Sequence, residues 1–348
     1  TGIIHAYVDA QGYVRVNNSS ASVDSARIGT RPVLTLDLSQ TKTYEYAGTV
    51  CSDGTGTEEA PSDAYGNVND SDSGTETDTE TEAQYRDLVN YLQAPAIVTD
   101  DSFDNGQRTT WQCVWYGSYP QSEVVNEQMS IDYTPIGSAY RRDSDLIVND
   151  ELYENLKAAD SWDDNNDISI GSIRYHRAKA GDAASKSYGG VSYRYGWEND
   201  ETYHYFRYEP IRWRVLGKNG SNVTLLSDVA LDGKPFHVTD SGVEWYESTL
   251  RSWLNSYTSA SNAAKISYTT EGFYGRAFTE QQQKAILITQ SSEYDESNAD
   301  DKIFLLAQSD VYGTTTAASY GFLREGSVSD IARRSKSSLF AKAMGVSS

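Results

Sequence analysis

An acidic run that cannot be buried divides this chain near its start. Residues 51–82 contain ten Asp or Glu residues, no Lys or Arg, and few large apolar side chains. A segment of this composition cannot form a core, so the sequence predicts a solvated acidic linker at 51–82. The predicted organisation is therefore a set of strands in 1–50, the linker, and a main body in 83–348 with an insertion at 122–208.

The charge of the chain excludes two classes of partner. Its 348 residues include 29 Lys or Arg and 50 Asp or Glu, a formal net charge of −21. Such a field repels phosphate backbones and anionic lipid headgroups, so no nucleic acid is predicted as a partner. Apolar runs are shorter than a bilayer span requires, so no membrane insertion is predicted either.

Short helices and alternating strands recur through the body without the regular alternation of a parallel sheet. Apolar residues alternate with arginines at 210–231 around Asn219-Gly220, which predicts a β-hairpin. Ser248 precedes an apolar stripe at helical spacing, and Thr279 with Gln282 makes a capping-box pattern. These patterns predict an α+β fold with mostly antiparallel sheets and short scattered helices.

Six motifs follow one another in the body. They are VWYGSYPQS, PIRWRVLGKNGSNVTLLSD, WYESTLRSWLN, AFTEQQQKAI, DKIFLLAQSDV and FAKAMGV. In this order they resemble an uncharacterised domain that recurs in large surface proteins of Gram-positive anaerobic bacteria. A weaker likeness is to the C-type-lectin-like and formylglycine-generating-enzyme folds. The resemblance implies an extracellular location, on a bacterial cell surface or appendage, a C-type-lectin-like architecture, and no assigned enzymatic activity.

Two strands of the resembling domain stand at the wrong end of this chain. Residues 7–16 and 29–38 match the pieces that close such domains, with Thr30 where Val is usual, and the Trp-rich stretch before them is missing. The resemblance therefore implies that N-terminal strands complete the sheet of a domain of the same kind. The predicted assembly strand consists of Arg31, Pro32, Val33, Leu34, Leu36 and Leu38.

Three interpretations of the displaced strands are open. The chain is a fragment of a tandem array, or a circular permutation whose linker returns the strands to their own sheet. In the third interpretation the strands complete a neighbouring molecule and form a head-to-tail filament. The predicted partners are accordingly copies of this chain or neighbouring repeats.

The first functional prediction is a non-enzymatic extracellular module for assembly or adhesion, which includes a filament subunit joined by strand addition. A glycan- or peptide-binding lectin-like module is the alternative, and a hydrolase with unrecognised carboxylates is the second alternative. The four histidines are isolated, and no zinc-protease, hydrolase or nucleotide-binding motif occurs. No enzyme and no cofactor are therefore predicted.

An aromatic segment at 193–208 is the predicted ligand-binding site. Rings alternate along two strands, where they can stack on the faces of host or bacterial glycans. The alternative is that the rings pack against each other across the strands. The residues concerned are Tyr193, Tyr195, Trp197, Tyr203 and Tyr205.

A polar segment after residue 162 is the candidate metal site. Asp163, Asn165 and Asp167 lie two residues apart, which lets oxygen ligands converge on Ca²⁺. The EF-hand pattern is not met, because Ile168 and Arg174 occupy its Gly and Glu positions. The stronger interpretation is a polar turn, with Ca²⁺ binding as the weaker one.

The chain has two cysteines, Cys51 and Cys113. An extracellular location favours a disulfide between them, which would fasten the first segment to the body. The alternative is two unrelated buried thiols.

Cations in two predicted helices have structural interpretations. Trp253 is expected in the core, and Arg251 is expected to pair with a carboxylate and fix its helix on the sheet. The cations near the C-terminus predict a solvated helix face, with docking onto the acidic linker as the alternative. They are Arg333, Arg334, Lys336 and Lys342.

Overall fold

The computed structural model describes the chain in separate ranges. The described residues are 6–8, 14–16, 29–62, 89–103, 106–132, 146–179, 181–182, 202–239, 243–289, 301–312, 315–322 and 331–346. They form a mixed α/β structure with mostly antiparallel sheets and few short helices. The predicted combination of mostly antiparallel sheets and short helices is confirmed.

Strands supply most of the regular structure. In chain order the described strands are β1 (Ala6–Val8), β2 (Val14–Val16), β3 (Gly29–Thr30), β4 (Val33–Asp37), β5 (Glu45–Cys51), β6 (Gly56–Thr57), β7 (Ala96–Thr99), β8 (Gln107–Val125), β9 (Leu146–Val148), β10 (Asp167–Ile170), β11 (Ile173–Ala178), β12 (His204–Asn219), β13 (Asn222–Ser227), β14 (Asp232–Gly233), β15 (Ile286–Leu287) and β16 (Ile303–Phe304). The described α-helices are α1 (Glu127–Asp132), α2 (Asp150–Ala158), α3 (Thr249–Leu254), α4 (Phe273–Ala277), α5 (Glu280–Ala285), α6 (Gln308–Val311), α7 (Thr315–Ser319) and α8 (Leu339–Ala343). In the described part of the chain, no helix has the length and apolar composition that crossing a bilayer requires.

Two sheets organise these strands. The larger sheet runs β15-β4-β13-β12-β8-β5-β6, with β16 beside β4, β11 and then β10 beyond β12, and β7 and β9 along β8. The smaller sheet runs β14-β3-β1-β2. Only the β8–β9 pair is parallel among the described strand pairs, as expected for a sheet built mainly from hairpins.

The predicted assembly strand is an inner strand of the larger sheet. In β4, Leu34 lies opposite Leu225 of β13 and Ile303 of β16, and Leu36 lies opposite Ile286 of β15. Leu34 and Leu36 are 0% exposed. Both edges of β4 are therefore paired, so it is a central strand of the larger sheet.

The two residues before β4 are tied to the same sheet. The Arg31 guanidinium donates two hydrogen bonds to the Ser227 carbonyl, at 2.9 and 2.7 Å. The Pro32 carbonyl accepts a hydrogen bond from the Ser227 N–H at 3.0 Å. After the strand, Leu38 is buried in the main core with Leu34 and Leu36, whereas Val33 belongs to a second core cluster on the other face. Burial of both faces is typical of a central strand.

The first part of the predicted linker belongs to the sheet. Strand β6 pairs with β5, and the Glu59 carbonyl accepts a hydrogen bond from the Trp115 indole at 2.8 Å. The Ser62 N–H donates to the Glu45 carboxylate at 2.7 Å. The linker prediction is therefore wrong for residues 51–62, where turn chemistry and pairing to β5 prevail over composition. Residues 63–82 lie outside the described residues.

The described part of the predicted insertion forms a layer at the ends of β8 and β12. Strands β10 and β11 continue the sheet from β12, and β9 pairs with the end of β8. Helix α2 begins with Asn149 as its N-cap and covers this end of the sheet. Its apolar face contributes to a cluster of Val124, Tyr153, Leu156, Tyr175 and Tyr205.

Local sequence signals in the body are confirmed. Strands β12 and β13 form the predicted hairpin, with Gly220 in the left-handed region at φ +63°. Ser248 caps α3, and Thr279 with Gln282 forms the capping box of α5. Each of these features depends on residues within a few positions of one another.

The predicted anchoring of α3 is also confirmed. Arg251 Nε lies 2.8 and 2.9 Å from the two carboxylate oxygens of Asp301, and Trp253 is 4% exposed. The predicted solvated face near the C-terminus is wrong for Arg333 and Lys342, which are 1% and 5% exposed, whereas Arg334 is half-buried and Lys336 is exposed. Arg333 stacks on the Tyr312 ring at 4.0 Å, so its cation is placed against an aromatic face.

Candidate functional site

A cleft of about 380 Å³ opens where five parts of the fold meet. Its walls come from the turn before β10 with the end of β11, the segment 232–238, α3, the segment 268–276, and α8. We call it the polar cleft. It combines a charged floor, an apolar wall and an acidic rim, which are described in turn.

The charged floor of the polar cleft is formed by His176 and Arg276, and both contact one buried carboxylate behind the lining, Asp167. It accepts hydrogen bonds from Arg174 Nη2 at 2.5 Å, from Arg276 Nη2 at 2.9 Å and from the Tyr208 hydroxyl at 2.9 Å. His176 Nδ1 lies 2.8 Å from Asp167 Oδ1, the oxygen that also accepts from Arg276. A carboxylate has about four acceptor positions, so Asp167 is saturated.

Burial and neighbouring groups act in opposite directions on the pKa of Asp167. Burial alone would raise the pKa of Asp167, but the hydrogen bond with His176 and the charges of Arg276 and Arg174 lower that pKa to about 2. Burial lowers the pKa of His176 below its usual value. At neutral pH the cluster of Asp167, Arg174, His176 and Arg276 therefore holds one carboxylate, a neutral imidazole and two guanidiniums, with positive charge in excess.

A second carboxylate, Asp232, stands on the wall. Its oxygens accept hydrogen bonds from the Tyr119 hydroxyl and from the Gly233 N–H, both at 2.7 Å. Lys234 Nζ lies 3.6 Å from this carboxylate and 5.4 Å from the centre of the Trp253 ring. Burial, then the Asp232 charge, raises the pKa of Tyr119, so its hydroxyl stays a hydrogen-bond donor.

Apolar side chains form the rest of the wall, and acidic ones form the rim. The buried apolar residues that line the polar cleft are Leu250, Trp253, Phe340 and Met344. The exposed acidic residues at its mouth are Asp164, Asp182 and Glu271. Donors on the floor, acceptors at the mouth and an apolar wall suit a ligand that carries both hydroxyl or amide groups and apolar faces.

The predicted aromatic site is not assembled by the residues that the structure describes. Tyr205 is 5% exposed and packs against Tyr153 and Trp162, with ring centroids 5.6 and 5.8 Å apart. Tyr203 lies under the cations of Arg177 at 4.3 Å and Lys179 at 5.5 Å. Tyr205 is therefore buried rather than displayed to a ligand, and the rings that cover it come from α2 and the segment after it rather than from a paired strand. Tyr193, Tyr195 and Trp197 lie outside the described residues.

The candidate calcium residues form a polar turn. Asp163 Oδ1 accepts hydrogen bonds from the N–H groups of Asn165 and Asp167, both at 2.8 Å, and Asn166 adopts φ 59°. The Asp167 carboxylate instead accepts hydrogen bonds from Arg174, Arg276 and the Tyr208 hydroxyl. Over the described ranges, no group of three or more His, Cys, Asp or Glu is placed to hold a metal ion.

The two cysteines are free thiols, so the predicted disulfide is not formed. Cys51 lies opposite Thr110 of β8, three positions before Cys113. Three strand residues span about 10 Å, beyond the reach of a disulfide. Burial raises the pKa of the Cys113 thiol to about 12. The alternative interpretation, two separate buried thiols, is the correct one.

We expect reduction to leave the stability of the chain unchanged. No bond would be broken by dithiothreitol, so the thermal midpoint measured by circular dichroism should be the same with and without it. A mutant with both thiols replaced, Cys51→Ser and Cys113→Ala, should likewise have the same thermal midpoint with and without dithiothreitol. A lower midpoint in dithiothreitol would contradict the free-thiol assignment.

Sequence reasoning missed Arg276, Asp232 and Lys234 as site residues. Arg276 lies in the apolar stretch FYGRAF, and a cation in such a stretch is a sign of a buried ion pair. Asp232 and Lys234 flank a glycine after the predicted hairpin, a pattern also typical of an ordinary turn. Only the stretch around Arg276 contained a signal that could have been used.

Comparison with protein families matches residues 220–344 to a domain of unknown function, DUF6273. The matched region contains α3, α4, α5 and α8, and with them Lys234, Trp253 and Arg276 of the polar cleft. No curated protein and no solved structure matches the chain.

Proposed function

We propose that this chain is a non-enzymatic adhesion module that binds a carbohydrate in the polar cleft. The module would act at a bacterial cell surface or on an appendage, with the C-type-lectin-like architecture that the sequence motifs imply. The observation that supports the proposal is the composition of the cleft, in which prearranged charged groups face an apolar wall. Its volume of about 380 Å³ lies in the range of about 300–1,000 Å³ that is usual for ligand pockets.

Carbohydrate chemistry fits the polar cleft better than a purely apolar or purely ionic ligand does. A sugar ring presents hydroxyl groups at its edge and C–H groups on its faces. Guanidinium donors from Arg276 and Arg177 and carboxylate acceptors from Asp164, Asp182 and Glu271 can satisfy the hydroxyls. The apolar wall can cover one face of the ring.

The chemistry of the floor favours binding over catalysis. Asp167 already accepts four hydrogen bonds, and its low pKa makes it a poor base at neutral pH. A general base needs a free acceptor within reach of the proton that it removes. The hydrolase hypothesis therefore finds no support in this carboxylate, and the binding proposal uses it only to position Arg276.

Binding is tested with a glycan array, followed by calorimetry on the sugars that bind. Lys234→Met and Glu271→Gln should each weaken binding by about tenfold, the equivalent of one charge-assisted hydrogen bond. Both residues line the polar cleft, and Glu271 is exposed at its mouth, so the Gln variant should keep its thermal midpoint.

The matched controls are Lys157→Met and Glu154→Gln. These residues form an exposed ion pair on α2 at 3.7 Å, away from the lining of the polar cleft. Equal weakening by the control variants, or an array without any bound glycan, would argue against carbohydrate binding. Release of sugar from a bound glycan would contradict the non-enzymatic part of the proposal.

A second candidate function, self-assembly, is favoured by strand β7. This strand pairs with β8 through Ile97 opposite Thr109 and Val98 opposite Arg108. Among the described strands none pairs with its other edge. Ile97 is 42% and Val98 54% exposed, so the free edge is apolar, and such an edge is a template for strand addition.

Assembly through β7 is tested by light scattering at increasing protein concentration. We expect the chain to associate and Val98→Lys to restore the monomer, because a lysine on an edge strand opposes strand pairing. Ile288→Lys is the control, since Ile288 is also 54% exposed and lies outside the strands. A wild-type chain that is monomeric at every concentration would exclude assembly at this edge.

A further inference from the structure

A second cavity, of about 420 Å³, lies between the β5–β6 turn, strand β12 and the segment 334–336. We call it the basic pocket, because cations outnumber carboxylates in its lining although the chain as a whole has a net charge of −21. The cations are Arg212, Arg214, Arg334 and Lys336, and the carboxylates are Asp53, Glu58 and Asp228.

The central carboxylate of the basic pocket is shared by several guanidiniums. Asp228 Oδ1 accepts a hydrogen bond from Arg214 Nε at 2.7 Å, and its Oδ2 lies 3.5 Å from Arg212 Nη1. Arg31 lies behind it and donates to the Asp228 carbonyl at 3.4 Å. Burial would raise the pKa of Asp228, but the charges of Arg214 and Arg212 lower it. One carboxylate thus faces three guanidiniums.

The other two carboxylates of the basic pocket do not neutralise the excess positive charge of its guanidiniums. Asp53 accepts hydrogen bonds from the N–H and the hydroxyl of Thr55, and it lies 3.5 Å from Arg108 Nε. Glu58 is 53% exposed and lies 3.5 Å from Arg212 Nη1. That separation exceeds a normal hydrogen bond, so Glu58 supplies a screened charge rather than a bonded partner.

Arg214 presents unused donors to the cavity. Its side chain is 8% exposed, it lines the basic pocket, and it stacks over the Trp111 ring at 5.0 Å. Only its Nε donates a hydrogen bond to the residues that the structure describes. Arg212 uses Nε and Nη2 on the carbonyls of Ala47, Thr49 and Thr57, which leaves Nη1 with ion pairs alone. The remaining nitrogens of these two guanidiniums line the pocket without a hydrogen-bond acceptor among the described residues, and guanidinium donors placed this way suit an anionic ligand.

We propose that the basic pocket binds a small organic anion through one carboxylate, sulfate or phosphate group. The anionic group accepts hydrogen bonds from the Arg214 Nη groups and Arg212 Nη1, while Lys336 adds its charge at the exposed mouth. Guanidinium groups match these planar or tetrahedral oxyanions in geometry. The volume of the pocket exceeds what the anionic group alone requires, so the ligand has an organic body as well. This site is separate from the polar cleft and does not depend on the carbohydrate proposal.

The test is calorimetric titration of the full chain with four probes. They are glucuronate, inorganic sulfate, inorganic phosphate and uncharged glucose, each at constant ionic strength. We expect saturable binding, with one site per chain, for at least one anion and no binding at this site for glucose. The three anions distinguish which oxyanion the pocket prefers.

Lys336→Gln and Arg334→Gln should each weaken anion binding by about tenfold, because each removes one charge near the anion. Lys157→Gln, on an exposed lysine of α2, is the matched control and should bind as the wild type does. Glu271→Gln in the polar cleft should also leave anion binding unchanged, which separates this proposal from the carbohydrate proposal. Absence of saturable binding by all three anions, or equal weakening by Lys157→Gln, would overturn the basic pocket as an anion site.

Discussion

Leu34→Asp is expected to abolish the cooperative folding of this chain. Leu34 is 0% exposed and lies between Leu225 and Ile303 in the middle of the larger sheet. Loss of a buried leucine costs about 2–5 kcal/mol, and an unpaired carboxylate at the same place costs several more. The sum approaches the total stability of a typical domain, about 5–15 kcal/mol. Thermal unfolding followed by circular dichroism should show no sigmoidal transition.

A matched substitution on an exposed strand provides the control. Val98→Asp places the same carboxylate on β7, where Val98 is 54% exposed, and should change the free energy of unfolding by about 0.5 kcal/mol or less. Leu34→Ala should give an intermediate result, with a transition at lower temperature. A cooperative, wild-type transition for Leu34→Asp would show that β4 is not an inner strand of the folded chain.

Asp167→Asn is expected to lower the free energy of unfolding by about 3–5 kcal/mol, the usual cost of breaking a buried ion pair. The substitution leaves Arg174 and Arg276 at the floor of the polar cleft without their carboxylate. Denaturant unfolding at pH 7 measures the difference. Asp164→Asn is the control, because Asp164 lies three residues away in the same turn and is exposed; it should unfold as the wild type does.

The same carboxylate predicts a direction for the pH dependence of stability. Asp167 has a pKa of about 2 in the folded chain, whereas an aspartate in an unfolded chain titrates near about 3.9. Because the folded value is the lower one, its contribution is complete above about pH 5 and is lost as the pH falls toward 2. Over that interval the wild type should lose about 2–3 kcal/mol more than Asp167→Asn does. Parallel acid titrations of the two proteins would contradict the assignment.

Features that depend on neighbouring residues were predictable. The hairpin of β12 and β13, the N-cap at Ser248 and the capping box at Thr279 each form between residues close in sequence. Their hydrogen bonds and periodicity do not depend on what the rest of the chain does. The sequence also predicted that Arg251 pairs with a carboxylate. It did not identify the partner, Asp301, which lies 50 residues away.

Features that depend on distant partners were predicted poorly. The residues of 51–62 are more polar than is typical of a sheet, and they are held there by pairing with β5, the indole of Trp115 and the guanidinium of Arg212. Tyr205 has the pattern of a displayed aromatic, and the placement of α2 and of Trp162 buries it. Cys51 and Cys113 fit a disulfide by composition, and the register of β5 on β8 separates them.

The sequence by itself determined the balance of short helices and antiparallel strands, since that balance follows from side-chain periodicity and caps within a few residues. Only the tertiary structure decided where charge is concentrated. Asp167 acquires Tyr208 from 41 positions away and Arg276 from 109, and Asp228 acquires Arg31 from 197. The sequence alone does not define which cation lies beside a given carboxylate, because the partners come together only when the chain folds. Electrostatic energy depends on distance and burial, and both are set by the fold.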